Sequence, residues 1–231
     1  MNRACRTVFV LLLGVFSGLP LHAQDIGDEI GSWIANGDLV GAELLIIRDG
    51  ETVLHEAYGW DDREARTPLR TDLIYSLASL TKPVTALAVL MLVEDGTLSL
   101  DDPVSRHIPD FAGDPRATVH DLLAQTIGDG GEHGNGAYNV YDFETLRDWV
   151  EDWAVVEATA EYGEFAYSNF NYAALALIAE RASGIPFGEI VTRRILEPAG
   201  MEDTYVSFSP DSSWACLLYT SPSPRDQRPN L

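Results

Sequence analysis

A serine and a lysine three residues apart, Ser79-Leu80-Thr81-Lys82, open an apolar run that continues through Pro83-Val84-Thr85-Ala86-Leu87-Ala88-Val89-Leu90-Met91-Leu92-Val93-Glu94 and stops at Asp95-Gly96. The pattern reads as a helix over residues 79–94 with a glycine stop. Residues three apart on a helix share a face, so the amine of Lys82 can reach the hydroxyl of Ser79. A helix N-terminus adds backbone N–H groups and the positive end of the dipole, which favour a developing oxyanion. In its neutral form such an amine can accept the serine proton and activate the hydroxyl as a nucleophile. Composition singles the lysine out. Lys82 is the only lysine in the 231 residues, and the other basic residues are all arginine. Arginine cannot release its proton at usable pH, whereas a lysine can. Alone, the spacing is also what a capping serine beside a surface lysine would give.

A second triplet, Tyr167-Ser168-Asn169, lies 88 residues beyond the serine. Tyrosine offers a phenol that can relay a proton, and asparagine an amide that can orient a lysine or a substrate carbonyl. By itself Tyr167 could equally be a core residue with its hydroxyl satisfied. The two motifs together, in this order, are far more specific than either.

These residues need elements to hold them. Besides the helix over 79–94, an apolar run over 170–182 predicts a second long helix, stopped by Ser183-Gly184 and Pro186. Residues 25–39 carry Ile26, Ile30, Trp33 and Ile34 at helical spacing. Residues 40–48 and 52–58 are two β-rich runs around Asp49-Gly50, a hairpin turn signal. Residues 60–71 read as a loop, and 96–103 as a turn whose acids form the turn or cap it rather than bind metal. Shorter helices are expected over 118–124, with Thr118 capping and Asp121 in the first turn, over 142–150 and over 187–196. Residues 128–136 hold five glycines with Asp129, Glu132 and His133. One histidine in such a segment is too little for a metal site.

Hydrophobic residues make up 46% of the chain, enough for a packed core, which excludes a disordered protein. A net charge of −21 argues against nucleic acid and anionic membrane surfaces as partners. Arg3 and Arg6, the short apolar run over 8–16 and Leu21-His22-Ala23 predict a secretory signal peptide over 1–23, with the mature chain starting near Gln24. The alternative is a membrane anchor, for which that run is short. A periplasmic or secreted protein, without stable membrane association after cleavage, is expected. Cys5 and Cys216 suggest neither a disulfide nor a metal site.

With these motifs on the page, the chain resembles the serine β-lactamase-like hydrolases, on the side of class C β-lactamases, D-alanyl-D-alanine carboxypeptidases and related esterases. The resemblance covers residues 40–205. It is carried by Ser79-Leu80-Thr81-Lys82, by Glu94-Asp95-Gly96-Thr97-Leu98-Ser99-Leu100-Asp101-Asp102-Pro103-Val104, by Tyr167-Ser168-Asn169, and by Arg194-Ile195-Leu196-Glu197-Pro198-Ala199-Gly200-Met201. It implies an α/β (α+β) fold: an antiparallel sheet flanked by helices, plus a mostly helical region. It implies acyl transfer through a covalent serine ester. Ser79 would be the nucleophile, Lys82 and Tyr167 would share the acid–base work, and Asn169 would bind the substrate and the lysine. The family divides on whether lysine or tyrosine is the main base. The implied substrate is a small molecule or peptide (a β-lactam, a D-amino-acid peptide or an ester), with no metal and no organic cofactor.

Two departures stand out. Members often read His-Thr-Ser-Gly where this chain has Gln125-Thr126-Ile127-Gly128, and no Lys-Thr-Gly or His-x-Gly triplet follows Asn169. Residues 216–231 resemble a reading frame of a transposon-end adapter used in sequencing libraries, so a partial domain over 24–215 with a non-native tail is expected, the C-terminal strands missing. The alternative is a natural proline-rich tail. A partial domain would leave residues 40–58 with an open edge and an uncovered face, so aggregation and no turnover are expected of it. The competing functional reading is a non-catalytic relative that binds a ligand or partner through the same cleft. The departures at Gln125 and Ile127 and the missing triplet favour it.

Overall fold

A computed structural model of the chain describes residues 23–128, 145–155, 161–207 and 217–220. The signal segment up to residue 22, the glycine-rich stretch from Asp129 on, the start of the helix expected at Asp142, and the tail apart from 217–220 lie outside the described residues. The chain divides into two compact units, residues 1–73 and 74–231.

The first unit is a hairpin with one helix. Helix α1 (Ala23–Asn36) is followed by strands β1 (Gly41–Arg48) and β2 (Glu51–Asp62), paired antiparallel. Asp49 and Gly50 both take positive φ, 53° and 81°, the geometry that lets a two-residue turn follow the strand twist. The register shifts between Ile46 and Ile47, a bulge that re-aims the strand end. Strand β2 runs past the expected end at Tyr58. Gly59, at φ 77°, bends it where a side chain would meet the Val40 carbonyl at 2.5 Å. The bend lets Trp60 and Asp62 pair with a short β3 (Thr67–Pro68), so part of the expected loop is strand. On the exposed side, Leu45, Ile47 and Val53 are each more than half accessible.

The second unit is mostly helical and holds every candidate site residue. It contains β4 (Tyr75–Ser76), α2 (Thr81–Glu94), α3 (Val104–His107), α4 (Val119–Ala124), α5 (Leu146–Ala154), α6 (Asn169–Ser183), α7 (Phe187–Val191), β5 (Thr204–Ser207) and β6 (Leu217–Thr220). The three strands form an antiparallel sheet in the order β4-β6-β5. Helix α6 is the centre. Its residues from Ala173 to Ala179 are all buried, and the alanines among them let α2, α4 and α5 approach closely. Ser168 caps it by accepting the Phe170 N–H at 3.1 Å, and Gly184 ends it at φ 71°.

Helix α5 is described from Leu146, with Thr145 capping it by accepting the Asp148 N–H at 3.1 Å. It runs on to Ala154, which brings Trp153 into the core. Trp149 and Trp153 pack on Phe170 with ring centroids 4.9 and 5.8 Å apart. Each such buried aromatic stabilises by about 1.5–3 kcal/mol. The helix expected over 187–196 is α7 followed by a wider π turn, Thr192–Leu196. Arg194 there reaches Asp95 Oδ2 at 2.7 Å, tying the turn to the end of α2. The acid at Asp102 is indeed a turn former: it is buried, accepts the Ser99 N–H at 3.1 Å and pairs with Arg106.

Helix α4 carries a reciprocal capping box. Thr118 accepts the Asp121 N–H at 3.3 Å, and Asp121 Oδ2 accepts the Thr118 N–H at 3.0 Å. Thr118→Ala is expected to destabilise the folded chain by about 1 kcal/mol, read from a urea titration. A change within 0.2 kcal/mol would show that this cap is not needed.

Candidate active site

Two helix starts converge on the site. Strand β4 ends at Ser76, and a 3-10 turn, Ala78–Leu80, carries Ser79 into α2. The α-helix itself therefore starts at Thr81, two residues later than expected. Pro83 falls in its first turn, where a missing N–H is tolerated. Ala78, next to the nucleophile candidate, sits at φ +45°. Such a conformation costs about 1–3 kcal/mol in a residue with a β-carbon and persists only where the surroundings enforce it. The start of α6 supplies the other side: Tyr167 directly precedes its cap, and Asn169 is its first residue.

The structure brings all four sequence-predicted residues together. Ser79 Oγ lies 2.6 Å from Tyr167 Oη. Lys82 Nζ donates to Ser79 Oγ at 3.3 Å and to Asn169 Oδ1 at 2.6 Å. The Tyr167 hydroxyl also reaches Asn169 Oδ1 at 3.5 Å. The Lys82 ammonium stands over two rings, 4.6 Å from the centre of Tyr167 and 5.8 Å from that of Tyr172. Ser79 and Tyr167 are exposed, while Lys82 and Asn169 are half-buried. The serine and tyrosine hydroxyls thus face solvent, while the amine and the amide that bond to them are partly sheltered.

Burial alone pushes the Tyr167 phenol up, but the Lys82 ammonium beside it and the hydrogen bond with Ser79 outweigh that. The phenol titrates below the ordinary tyrosine range, so its phenolate is more accessible than a free tyrosine's. Tyr172 moves the other way, raised by burial and secondarily by Tyr167.

Two further residues belong to the site and escaped the motif reading. Tyr172, one turn along α6 from Asn169, donates its hydroxyl to the Leu123 carbonyl at 3.1 Å, which fixes the ring near Lys82. Gln125, at the end of α4, accepts the Ser168 N–H on its side-chain oxygen. The only signal for it in the sequence was its departure from the family's usual histidine. Among the described residues no group of histidine, cysteine, aspartate or glutamate is placed to hold a metal ion, and no helix is long and apolar enough to cross a membrane. His133, the weak metal candidate, lies outside the described residues.

The family described as Beta-lactamase matches residues 27–226. Esterase EstB of Burkholderia gladioli is 38% identical over 191 residues, covering 75% of this chain and 49% of its own length. Among solved structures, the octameric penicillin-binding protein homologue of Pyrococcus abyssi superposes with a TM-score of 0.68 at 30% identity, over 81% of this chain and 45% of that one. The D-amino acid amidase of Ochrobactrum anthropi SV3 gives 0.69 at 26%, over 83% and 54%. The chain spans about half the length of the proteins it matches.

Proposed function

The chain belongs to the β-lactamase family, whose members are serine hydrolases of amides and esters, and on that premise we propose that it acts through an acyl ester on Ser79. The carrying observation is that Ser79 Oγ lies within hydrogen-bond reach of both Tyr167 Oη and Lys82 Nζ. As the Ser79 oxygen bonds to the substrate carbonyl carbon, its proton passes to this pair, and the carbonyl oxygen becomes an oxyanion near the head of α2. Collapse expels the amine or alkoxide, which takes that proton. Water then attacks the acyl ester, gives up a proton to the same pair, and Ser79 is released with it. Asn169 keeps Lys82 aimed at the hydroxyl throughout.

The substrate is a small amide or ester, of the kind named for the esterase and the D-amino acid amidase that the chain resembles. The protein is exported, its first 23 residues serving as a signal peptide, in keeping with Arg3, Arg6 and the apolar run that follows. No Lys-Thr-Gly or His-x-Gly triplet follows Asn169 here. The family's second oxyanion donor belongs to that motif, and losing one such donor typically slows turnover about a hundredfold or more. Turnover by these 231 residues alone is accordingly expected to be weak or nil. A strongly activated electrophile with a good leaving group depends less on that donor than an amide or ester does, and so reports on the nucleophile and its base.

The test is covalent labelling with a fluorophosphonate, in which Ser79 Oγ displaces fluoride from phosphorus. Peptide mass analysis is expected to place the adduct on Ser79, and Ser79→Ala is expected to remove it. No adduct on protein with a folded circular-dichroism spectrum would refute the reading.

A further inference from the structure

Gln125 occupies an unfavourable place for a glutamine. It closes α4 in the left-handed conformation, at φ 62°, where glycine or asparagine is usual and a longer side chain meets a steric penalty. It is also buried, only 6% exposed, and a buried amide is unfavourable unless its polar atoms are used. Its oxygen is used. Gln125 Oε1 accepts the Ser168 N–H and lies 3.5 Å from the Asn171 amide nitrogen.

The segment leading to Tyr167 is clasped at three points by the end of α4. The Gly163 N–H donates to the Thr126 carbonyl at 2.8 Å and the Ala166 N–H to the Gln125 carbonyl at 2.9 Å. Both are backbone acceptors, of Thr126 and Gln125, and neither depends on the side chain at 125. The bond to Ser168 is different, because it needs a side chain that carries an acceptor and can reach. Ser168 is fully buried and stands between Tyr167 and Asn169. Its amide fixes the backbone from which both of those side chains project.

We propose that Gln125 is a positioning residue, whose amide oxygen, acting through the Ser168 N–H, aims Tyr167 and Asn169 at Ser79 and Lys82. The 2.6 Å contacts Ser79–Tyr167 and Lys82–Asn169 leave little room for drift, and a 1 Å misplacement of catalytic groups costs about a hundredfold in rate. The kinetic part of the proposal rests on the serine-hydrolase reading; the part concerning the direction of Tyr167 does not.

Gln125→Gly separates positioning from simple capping. Glycine takes the left-handed conformation freely, so a residue needed only to end α4 would be replaced without loss. Two quantities are read on the full chain: the rate of Ser79 phosphonylation, and the titration of Tyr167, obtained as the ultraviolet difference between each protein and its Tyr167→Phe partner. Gln125→Gly is expected to slow labelling at least about tenfold and to move the Tyr167 midpoint upward, toward 10, as Lys82 and Ser79 lose their hold on the phenol. Gln125→His keeps a ring nitrogen that can accept and tolerates the left-handed conformation; it is expected to stay within about threefold of the parent. Labelling of Gln125→Gly at the parent's rate, or an unmoved Tyr167 midpoint, would overturn the proposal. Should the parent itself not be labelled, the hydrolase reading fails, and the Tyr167 midpoint alone decides this one. Should Gln125→Gly not fold, Gln125→His decides, since a slowdown beyond tenfold in a folded protein would contradict the acceptor role.

Discussion

Replacing Lys82 by arginine is expected to slow phosphonylation of Ser79 by a factor of about 10²–10⁴ while leaving the folded spectrum unchanged. Assisted proton transfer is worth that range, and Lys82 can relay the Ser79 proton to Tyr167, whereas arginine keeps the charge but cannot give up its proton. Geometry works in the same direction. The lysine nitrogen fits between Ser79 Oγ at 3.3 Å and Asn169 Oδ1 at 2.6 Å, and a planar guanidinium on a longer stem does not reproduce a point donor at both. Lys82→Met removes charge and base together. If Lys82 served only as a positive charge beside Tyr167, arginine would retain most of the rate and methionine would not. Equal rates for parent and Lys82→Arg, measured with one reagent concentration series, would remove lysine from the proton transfer and leave Tyr167 as the base.

Labelling of the parent chain should rise with pH and level off at a midpoint below the ordinary tyrosine value of about 10. The sign follows from the active form. If phenolate accepts the Ser79 proton, the rate tracks the fraction ionised, increasing as pH approaches the Tyr167 midpoint from below and flattening above it. That midpoint is low because the Lys82 ammonium and the Ser79 hydroxyl outweigh the effect of burial. Lys82→Met should therefore shift the rising limb to higher pH, whereas Lys82→Arg should not. Tyr167→Phe should abolish the limb and lower the plateau by about 10²-fold or more. A limb that survives Tyr167→Phe unchanged would assign it to another group and sink the phenolate role. Rates are to be corrected for hydrolysis of the reagent at each pH.

The parts of the fold that could be read in advance are those decided by short stretches of chain. Helix α6 was expected over 170–182 and is found at Asn169–Ser183, because an apolar run with a Ser-Gly stop leaves little choice. The hairpin turn followed from Asp49-Gly50, since both residues tolerate positive φ. Within the site, Ser79, Lys82, Tyr167 and Asn169 were each visible as one of two short motifs. What could not be read depends on contacts between distant segments. Ser79 sits in a 3-10 turn rather than in the helix because the chain must turn out of β4 through Ala78 before α2 can start. Gln125 could be noticed only as a departure, since its task lies 43 residues away at the Ser168 amide. Tyr172 belongs to no motif; its place is set by the bond from its hydroxyl to the Leu123 carbonyl, which holds its ring near Lys82.

Lys82 is half-buried with its amine near two aromatic rings, and no other residue of the chain bears a primary amine on its side chain. An acylating or alkylating reagent for amines has therefore two targets in the polypeptide, the α-amine and this one. The mass increment on the peptide bearing Lys82 would report, without any substrate, how often its nitrogen is unprotonated and reachable. The same arithmetic makes a protease that cleaves on the amino side of lysine a conformational probe, the bond after Lys82 being protected by Pro83: its single cleavage site, Thr81–Lys82, lies in the first turn of α2, one turn from the proposed nucleophile. Cutting there requires the helix start to open, so the cleavage rate in native buffer would measure how often the site comes apart.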